Sequence, residues 1–254
     1  MFFGRARSIG LTGPRKGGAG ADLRQGGERL GSVIFDLDGT LADTSRDLIA
    51  ATNACFQSMG AGMVLDPDDP GDQAQALHGG RAMLRLGMAR LGRPGDEAEI
   101  DRQYPMLLEH YEDKIDQHTV IFPGAMEAIA ALGASGYRVG ICTNKPERLA
   151  HILLDRLGVR DAFASLVGAD TLAVKKPDPE PLREAARRAG GDPARCCLIG
   201  DSRTDRETAR AAGVPSILVT FGPSAPHTPA LEPEALIAHF DELPGAVARL
   251  LPLI

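Results

Sequence analysis

The amino-acid sequence predicts an α/β protein: a doubly wound, Rossmann-like core of parallel strands with an inserted helical cap domain. Two observations carry this prediction. From Gly31 onward, short apolar runs alternate with helical patterns, which is typical of parallel strands joined by helices. Between Thr44 and Val120 the alternation stops, and helical periodicity continues without a convincing strand. We therefore expect this interval to form a separate helical unit.

These patterns divide the chain into three parts. Residues 31–43 and 121–254 form the α/β core, and residues 44–120 form the helical cap. Residues 1–30 are rich in glycine and carry six Lys and Arg against two acids, so we expect a disordered basic tail. The tail lacks the continuous apolar run of a secretory signal, and a targeting peptide is the alternative interpretation.

Five apolar runs are predicted strands of the core: Ser32–Leu37, Tyr137–Thr143, Ala164–Val167, Cys196–Ile199 and Ser216–Thr220. Three core helices are each followed by a glycine that can end a helix, at Glu147–Leu157, Glu180–Ala189 and Thr204–Ala212.

Helical periodicity also places three helices in the cap. The first begins with Thr44 or Ser45 as N-cap, and the second spans Arg81–Leu91. The third has apolar residues in helical period from Ile100 to Ile115. We expect it to kink or restart at Pro105, because proline lacks the N–H of an interior helical residue.

Composition excludes several classes of protein. Hydrophobic residues make up 43% and charged residues 24% of the 254 residues, which is ordinary globular usage. No apolar run is long enough to span a membrane, and a net charge of −6 argues against a nucleic-acid surface. The four cysteines contain no CxxC pair, which favours a reduced, cytoplasmic chain. The oligomeric state is left open.

The strongest chemical signal is Val33–Thr40, where an apolar strand runs into Asp36 and Asp38 and then Gly39. Ligands of open α/β sheets bind outside the carboxyl ends of the strands, and residues two apart in a strand face the same side. Two carboxylates in this place suit a metal-held nucleophile and a nearby proton donor. Taken alone, the motif also fits a solvated turn.

Two further segments bring phosphate-binding groups to the same edge. The second strand runs into Thr143–Pro146, which offers a hydroxyl and free backbone N–H groups; the alternative is a helix start with Asn144 as N-cap and Pro146 at N1. Lys176 precedes a proline-stiffened loop and is either a fixed counter-charge for phosphate or an exposed loop lysine.

The fourth motif is an apolar strand that runs into Asp201, with Asp205 four residues further on. Mg²⁺ prefers hard oxygen ligands from one or two carboxylates, so this pair suits a Mg²⁺ site; two acids in the first turn of a helix are the alternative. Each motif alone is ambiguous. Their common position at predicted strand ends indicates one site that binds a metal and a phosphate.

This four-part arrangement resembles the haloacid dehalogenase-like hydrolase superfamily over residues 31–225, including the position of the cap. Within it, the runs Asp36–Thr44 and Thr143–Pro146 are most similar to phosphoglycolate phosphatases. The resemblance implies a Mg²⁺-dependent phosphatase that hydrolyses a small phosphomonoester through an aspartyl-phosphate intermediate. The expected substrate is 2-phosphoglycolate.

The resemblance also implies roles for individual residues. Asp36 would be the nucleophile and Asp38 the general acid and base. The transferring phosphoryl group would be held by Thr143, Asn144 and Lys176.

The metal ligands implied in the same way are the Asp36 carboxylate, the Asp38 backbone carbonyl and Asp201. Asp205 would position Lys176 or a metal-bound water. One departure is Thr204, which stands where these relatives often carry asparagine.

Specificity must come from the cap, where the Leu77–Arg81 segment places glycines beside a cation. Arg81 can bind a substrate carboxylate bidentately, as a two-carbon phosphorylated acid requires, or it is an exposed arginine at a helix start. Whether Arg81 or His78 sets specificity is left open.

Two other functions compete with this interpretation. A phosphosugar mutase of the same superfamily would return the phosphoryl group to the substrate, whereas a phosphatase of phosphoglycolate, another small phosphoester or pyrophosphate releases phosphate. A catalytically silent binding protein would usually lack a motif residue, but Asp36, Asp38, Thr143, Lys176 and Asp201 are all present.

Overall fold

The computed structural model describes residues 30–253. Along this part of the chain the strands are β1 (Ser32–Phe35), β2 (Ala42–Asp43), β3 (Val120–Ile121), β4 (Arg138–Cys142), β5 (Ser165–Val167), β6 (Cys196–Gly200), β7 (Ser216–Val219) and β8 (Ala235–Ile237). The α-helices are α1 (Ser45–Ser58), α2 (Pro70–Ala76), α3 (Gly80–Arg90), α4 (Glu97–Asp113), α5 (Ala125–Ala134), α6 (Glu147–Arg156), α7 (Glu180–Arg188), α8 (Arg203–Ala212) and α9 (Leu243–Leu250).

Six strands form one parallel sheet in the order β5-β4-β1-β6-β7-β8. The five predicted strands are confirmed, and the predicted α/β fold with them. Strand β8 was not predicted, because it is a three-residue edge strand whose Leu236 is exposed and whose apolar signal is weak. Strand β1 lies in the middle of the sheet, so the residues that follow it emerge at the centre of one edge.

Helices cover both faces of the sheet, which makes it doubly wound. One face packs against Ile129 of α5, Leu153 of α6 and Val247 of α9, and the other packs against Leu182 of α7 and Ala209 of α8. The three predicted core helices agree with the structure to within one residue at each end. Helices α5 and α9 were not predicted.

Helices α1 to α4 occupy the interval in which the sequence predicts a helical insertion, and we call them the cap. The chain enters and leaves the cap through β2 and β3, which pair antiparallel. The buried Asp47 carboxylate ties the two crossings together, because it accepts hydrogen bonds from the backbone N–H groups of His118 and Thr119. The division at residues 43 and 120 stays a prediction, and the predicted tail lies outside the described residues except for Leu30.

Pro105 does not restart the third cap helix, so that alternative is wrong. One helix, α4, continues through this proline from Glu97 to Asp113. Proline removes one backbone hydrogen bond, but Ile100, Leu107 and Tyr111 bury the same face of α4 before and after it.

The short helix α2 was not predicted. Among the described helices, none combines the length and the apolar character that a membrane crossing requires.

The cap core depends on a close approach between α1 and α3 at Gly87. A β-carbon at this position would lie 2.1 Å from the ring of Phe56, which is fully buried. We expect Gly87→Ala to destabilise the protein by about 1–3 kcal/mol, as over-packing does. Thermal or urea unfolding measures this change.

Gly133→Ala in α5 is the matched control, because a β-carbon there meets no atom of the described residues within 4 Å, apart from its chain neighbours and the backbone of its own helix. It should stabilise the protein by about 0.5–1 kcal/mol through helix propensity alone. Equal effects of the two substitutions would show that the contact with Phe56 is unimportant.

Candidate active site

The loop after β1 carries two carboxylates at the carboxyl edge of the sheet. Asp36 continues the line of β1, since its N–H donates to the Ile199 carbonyl of β6 at 2.8 Å. Its Oδ1 accepts from the Leu37 N–H at 2.7 Å. The chain then turns at Gly39, whose φ of +81° favours glycine and where a β-carbon would lie 2.6 Å from Asp201 Oδ2. The turn therefore brings the loop directly against Asp201.

Three buried carboxylates and one lysine meet below this loop. Asp36, Asp201 and Asp205 each offer an oxygen atom, and these atoms all lie within 4.8 Å of one another. The Lys176 ammonium lies 3.0 Å from Asp36 Oδ1 and 2.6 Å from Asp205 Oδ1. Lys176 is only 3% exposed, so its predicted alternative as an exposed loop lysine is wrong.

Burial sets the electrostatics of this cluster. It raises the pKa of the Asp36 carboxyl, although Lys176 opposes the shift. Burial also raises the pKa of Asp201, and the neighbouring Asp205 and Asp36 carboxylates add to the rise. Burial alone lowers the pKa of Lys176, but Asp205 and Asp36 outweigh it and the pKa rises overall. One ammonium group thus faces three carboxyl groups, which is more negative charge than it can balance when all of them are ionised.

The oxygen atoms of the cluster fit a divalent cation. Asp201 Oδ1 accepts from the Thr40 hydroxyl at 2.9 Å, while Asp201 Oδ2 is buried and has no hydrogen-bond partner within the described residues. Asp205 is committed on both oxygens: Oδ1 binds Lys176, and Oδ2 accepts from the Ser202 N–H and hydroxyl. Asp36 and Asp201 therefore have the capacity to ligate a hard cation such as Mg²⁺, and Asp205 holds Lys176.

The Asp38 side chain has different partners from those of Asp36. Its Oδ1 accepts from the Thr44 hydroxyl at 2.6 Å and from the Lys145 ammonium at 2.7 Å. The same ammonium donates to the hydroxyl of Tyr111 in the cap at 2.7 Å. No role was predicted for Lys145 or Tyr111. Lys145 stood within a recognised motif, but Tyr111 showed only the helical period of α4.

Thr143 and Asn144 follow β4 beside the cluster. The Thr143 N–H donates to the Val167 carbonyl, which keeps this buried residue in line with the sheet. The Asn144 amide donates to the Lys176 carbonyl at 3.0 Å. Asn144 is therefore not the N-cap of α6, and that alternative is wrong: Pro146 is the N-cap residue. Asn144 instead ties the loop after β4 to the loop that carries Lys176.

A cavity of about 210 Å³ lies between the core and the cap and brings most of the predicted residues together. It is smaller than the roughly 300–1,000 Å³ typical of drug-sized ligand pockets, which favours a small substrate. The core lines it with Asp36, Asp38, Thr143, Asn144, Lys145 and Lys176, and the cap contributes His78, Arg81, Tyr104 and Tyr111.

Arg81 reaches the cavity from the first turn of α3, but it already has partners. Its guanidinium donates to Asp101 at 2.7 Å and lies over the Tyr104 ring, 4.6 Å from the centroid. Its side chain is 42% exposed, so the pair with Asp101 is a surface contact that is weak and exchangeable. Arg81 is thus held at the mouth of the cavity without being buried there.

Residues 33–219 match the model of the haloacid dehalogenase-like hydrolases. The chain belongs to this family. A phosphoglycolate phosphatase of Mesorhizobium japonicum is 42% identical over 217 residues, covering 85% of this hydrolase and 94% of the relative. A second, from Agrobacterium fabrum, is 37% identical and covers 85% and 91% of the two chains. The prediction of a phosphoric monoester hydrolase is confirmed by these relatives.

Solved structures support the fold of the hydrolase. A protein of Haemophilus somnus, described as a predicted phosphoglycolate phosphatase, superposes with a TM-score of 0.72 at 21% identity, covering 87% of this chain and 99% of that one. CbbY from Rhodobacter sphaeroides, solved in complex with phosphate, superposes with a TM-score of 0.66 at 25% identity, covering 84% and 96%.

Because buried carboxylates repel one another, a bound cation should stabilise the fold. We expect Mg²⁺ at about 100 times its dissociation constant to add about 2.7 kcal/mol, which raises the melting temperature by several degrees. The Asp201→Asn variant should lose this response and melt above the metal-free wild type, since an amide has no charged form for burial to penalise. Thermal unfolding in chelator, with and without MgCl₂, measures both effects.

Asp155→Asn, an exposed position on α6, is the control and should keep the full response. Two results would contradict the role of Asp201 as a Mg²⁺ ligand. One is a wild-type melting temperature that does not change with Mg²⁺, and the other is an Asp201→Asn variant that responds like the wild type.

Proposed function

We propose that this hydrolase is a Mg²⁺-dependent phosphatase that hydrolyses a small phosphomonoester, 2-phosphoglycolate, through an aspartyl-phosphate on Asp36. One observation carries the proposal: Asp36 faces a small cavity, and beside it lie Lys176 and an Asp201 oxygen that has no hydrogen-bond partner within residues 30–253. A carboxylate nucleophile, a fixed cation and a free metal ligand are what transfer of a phosphoryl group to a protein carboxylate requires.

In the first half-reaction, an Asp36 oxygen attacks phosphorus and the bond between phosphorus and the ester oxygen breaks. Asp38 gives its proton to the departing alkoxide, which leaves as an alcohol. In the second, Asp38 as carboxylate takes a proton from water, and the water oxygen attacks the phosphorus of phospho-Asp36. Inorganic phosphate leaves and Asp36 is restored.

The remaining residues hold the phosphoryl group. Lys176 neutralises its oxygens, and Thr143 and Asn144 donate hydrogen bonds from the loop after β4. The carboxylates of Asp36 and Asp201 and the backbone carbonyl of Asp38 would hold Mg²⁺, which would supply positive charge that lets a carboxylate approach a phosphate dianion. Asp205 keeps Lys176 in place through their 2.6 Å contact.

The substrate is proposed from the cavity and from the relatives. A volume of about 210 Å³ suits a substrate with few atoms beyond the phosphate. Arg81 at the cavity mouth is a carboxylate receptor that must first release Asp101. The two relatives named above are phosphoglycolate phosphatases, which favours the same two-carbon acid.

Phosphate release from a panel of small phosphoesters tests this function. With Mg²⁺, 2-phosphoglycolate should have the highest kcat/KM, and hexose phosphates and pyrophosphate should be poor substrates. Arg81→Ala should lower kcat/KM for 2-phosphoglycolate roughly tenfold to a hundredfold, the value of a charge-assisted contact expressed in the transition state. The same variant should lose much less on p-nitrophenyl phosphate, which has no carboxylate.

Arg85→Ala is the matched control, since Arg85 lies one turn further along α3 and pairs with Glu97. It should behave like the wild type on both esters. Phosphoryl transfer between sugars without release of phosphate would indicate a mutase. Equal losses of kcat/KM on both esters in Arg81→Ala would show that Arg81 does not set specificity.

Asp38→Asn should separate the two half-reactions, because an amide keeps the shape of the side chain but carries no transferable proton. Loss of acid assistance costs about a hundredfold to ten-thousandfold on an alkyl phosphate, whose leaving group is basic. Phosphorylation by p-nitrophenyl phosphate should survive better, since its leaving group is a stable anion. Hydrolysis of phospho-Asp36 should be slow with either ester.

A rapid-mixing experiment should therefore show a burst of p-nitrophenol approaching one equivalent, with phosphate retained on the protein. Steady turnover of both esters near the wild-type rate would mean that Asp38 is neither acid nor base.

A further inference from the structure

Lys145 is a buried cation that none of the proposed steps uses. It is 8% exposed and stands on the core loop after β4. Its ammonium donates at 2.7 Å to Asp38 Oδ1 and at 2.7 Å to the Tyr111 hydroxyl. A buried lysine usually requires a partner for its charge, and here the partner is the proposed acid and base.

These contacts make the two oxygen atoms of Asp38 unequal. Oδ1 receives both the Lys145 ammonium and the Thr44 hydroxyl, whereas Oδ2 has no donor among the described residues. An oxygen that already accepts two short hydrogen bonds is poorly placed to carry a proton to a leaving group. Oδ2 is therefore the atom that must give and take the proton.

Tyr111 and Lys145 belong to different parts of the chain. Tyr111 lies near the end of cap helix α4, and Lys145 belongs to the core, so their contact exists only while the cap is docked on the core. Two exposed ion pairs lie along the same boundary between cap and core, which we call the seam: Glu112 with Arg148 and Asp116 with Arg156. Of these three contacts along the seam, only the one between Tyr111 and Lys145 reaches Asp38.

We propose that Lys145 and Tyr111 are positioning residues that couple cap docking to proton transfer, an inference that rests on the proposed function. Lys145 fixes Asp38 Oδ1 and turns Oδ2 toward the leaving group, and Tyr111 holds Lys145 in that place when the cap is docked. Neither residue exchanges a proton. The proton moves only between Asp38 Oδ2 and the ester oxygen or the attacking water.

Tyr111→Phe and Lys145→Met test the proposal, because the first removes a hydroxyl and the second an ammonium with little loss of volume. On 2-phosphoglycolate, kcat should fall roughly tenfold for Tyr111→Phe and more for Lys145→Met, as fractions of what acid–base assistance supplies. KM should change little. On p-nitrophenyl phosphate, the burst rate should change much less, because this leaving group needs no proton.

Arg148→Met is the matched control, since it breaks an exposed cap–core ion pair that does not touch Asp38. It should leave kcat on both esters unchanged. If Tyr111→Phe slows both esters equally, or if Arg148→Met gives the same pattern, the effect is loss of cap docking in general and the proposal is overturned.

A double-mutant cycle tests the contact without using activity. The melting temperature shifts of Tyr111→Phe and Lys145→Met should be non-additive in the double variant, because both remove the same hydrogen bond. Additive shifts overturn the proposal even if turnover falls. A wild-type chain that releases phosphate from no ester overturns the proposed function and the role of this pair with it, a result distinct from the leaving-group pattern above.

Discussion

The repulsion among Asp36, Asp201 and Asp205 is the constraint on which the rest of the site depends. Their oxygens lie within 4.8 Å of one another in a buried place, with the Lys176 ammonium as their counter-charge. Like charges at this distance are costly where the dielectric constant is low, and the contacts with Lys176 and the hydrogen bonds of the cluster offset part of that cost. The same imbalance makes the cluster receptive to a divalent cation, whose positive charge would in turn let an anionic phosphoryl group approach.

The sheet supplies the rigidity that this repulsion demands. Strand β1 is buried on both faces and pairs with β4 and β6, so the loops that follow these three strands emerge side by side. Asp205 is further fixed by the capping box that it forms with Ser202 at the start of α8. A carboxylate that caps a helix and binds Lys176 cannot move away from its neighbours without breaking both contacts.

Much of this arrangement could be predicted from local patterns, because parallel strands place their following residues at one edge whatever the rest of the chain does. That rule was enough to bring Asp36, Thr143 and Asp201 together. It says nothing about how a cap docks, so the contact of Tyr111 with Lys145 was missed. The helical period of α4 survived Pro105 because burial on both sides outweighs one lost hydrogen bond.

Two buried lysines beside the cavity pair with different carboxylates. Lys176 is held between two carboxylates of the core, whereas Lys145 is held by Asp38 of the core and Tyr111 of the cap. Buried ion pairs contribute little net stability, since the desolvation of both groups offsets their attraction. Burial of the large apolar core on both faces of the sheet offsets the free energy of this desolvation. What the lysines supply is position: one fixes the proposed nucleophile, and the other makes the orientation of the proposed acid and base depend on where the cap lies.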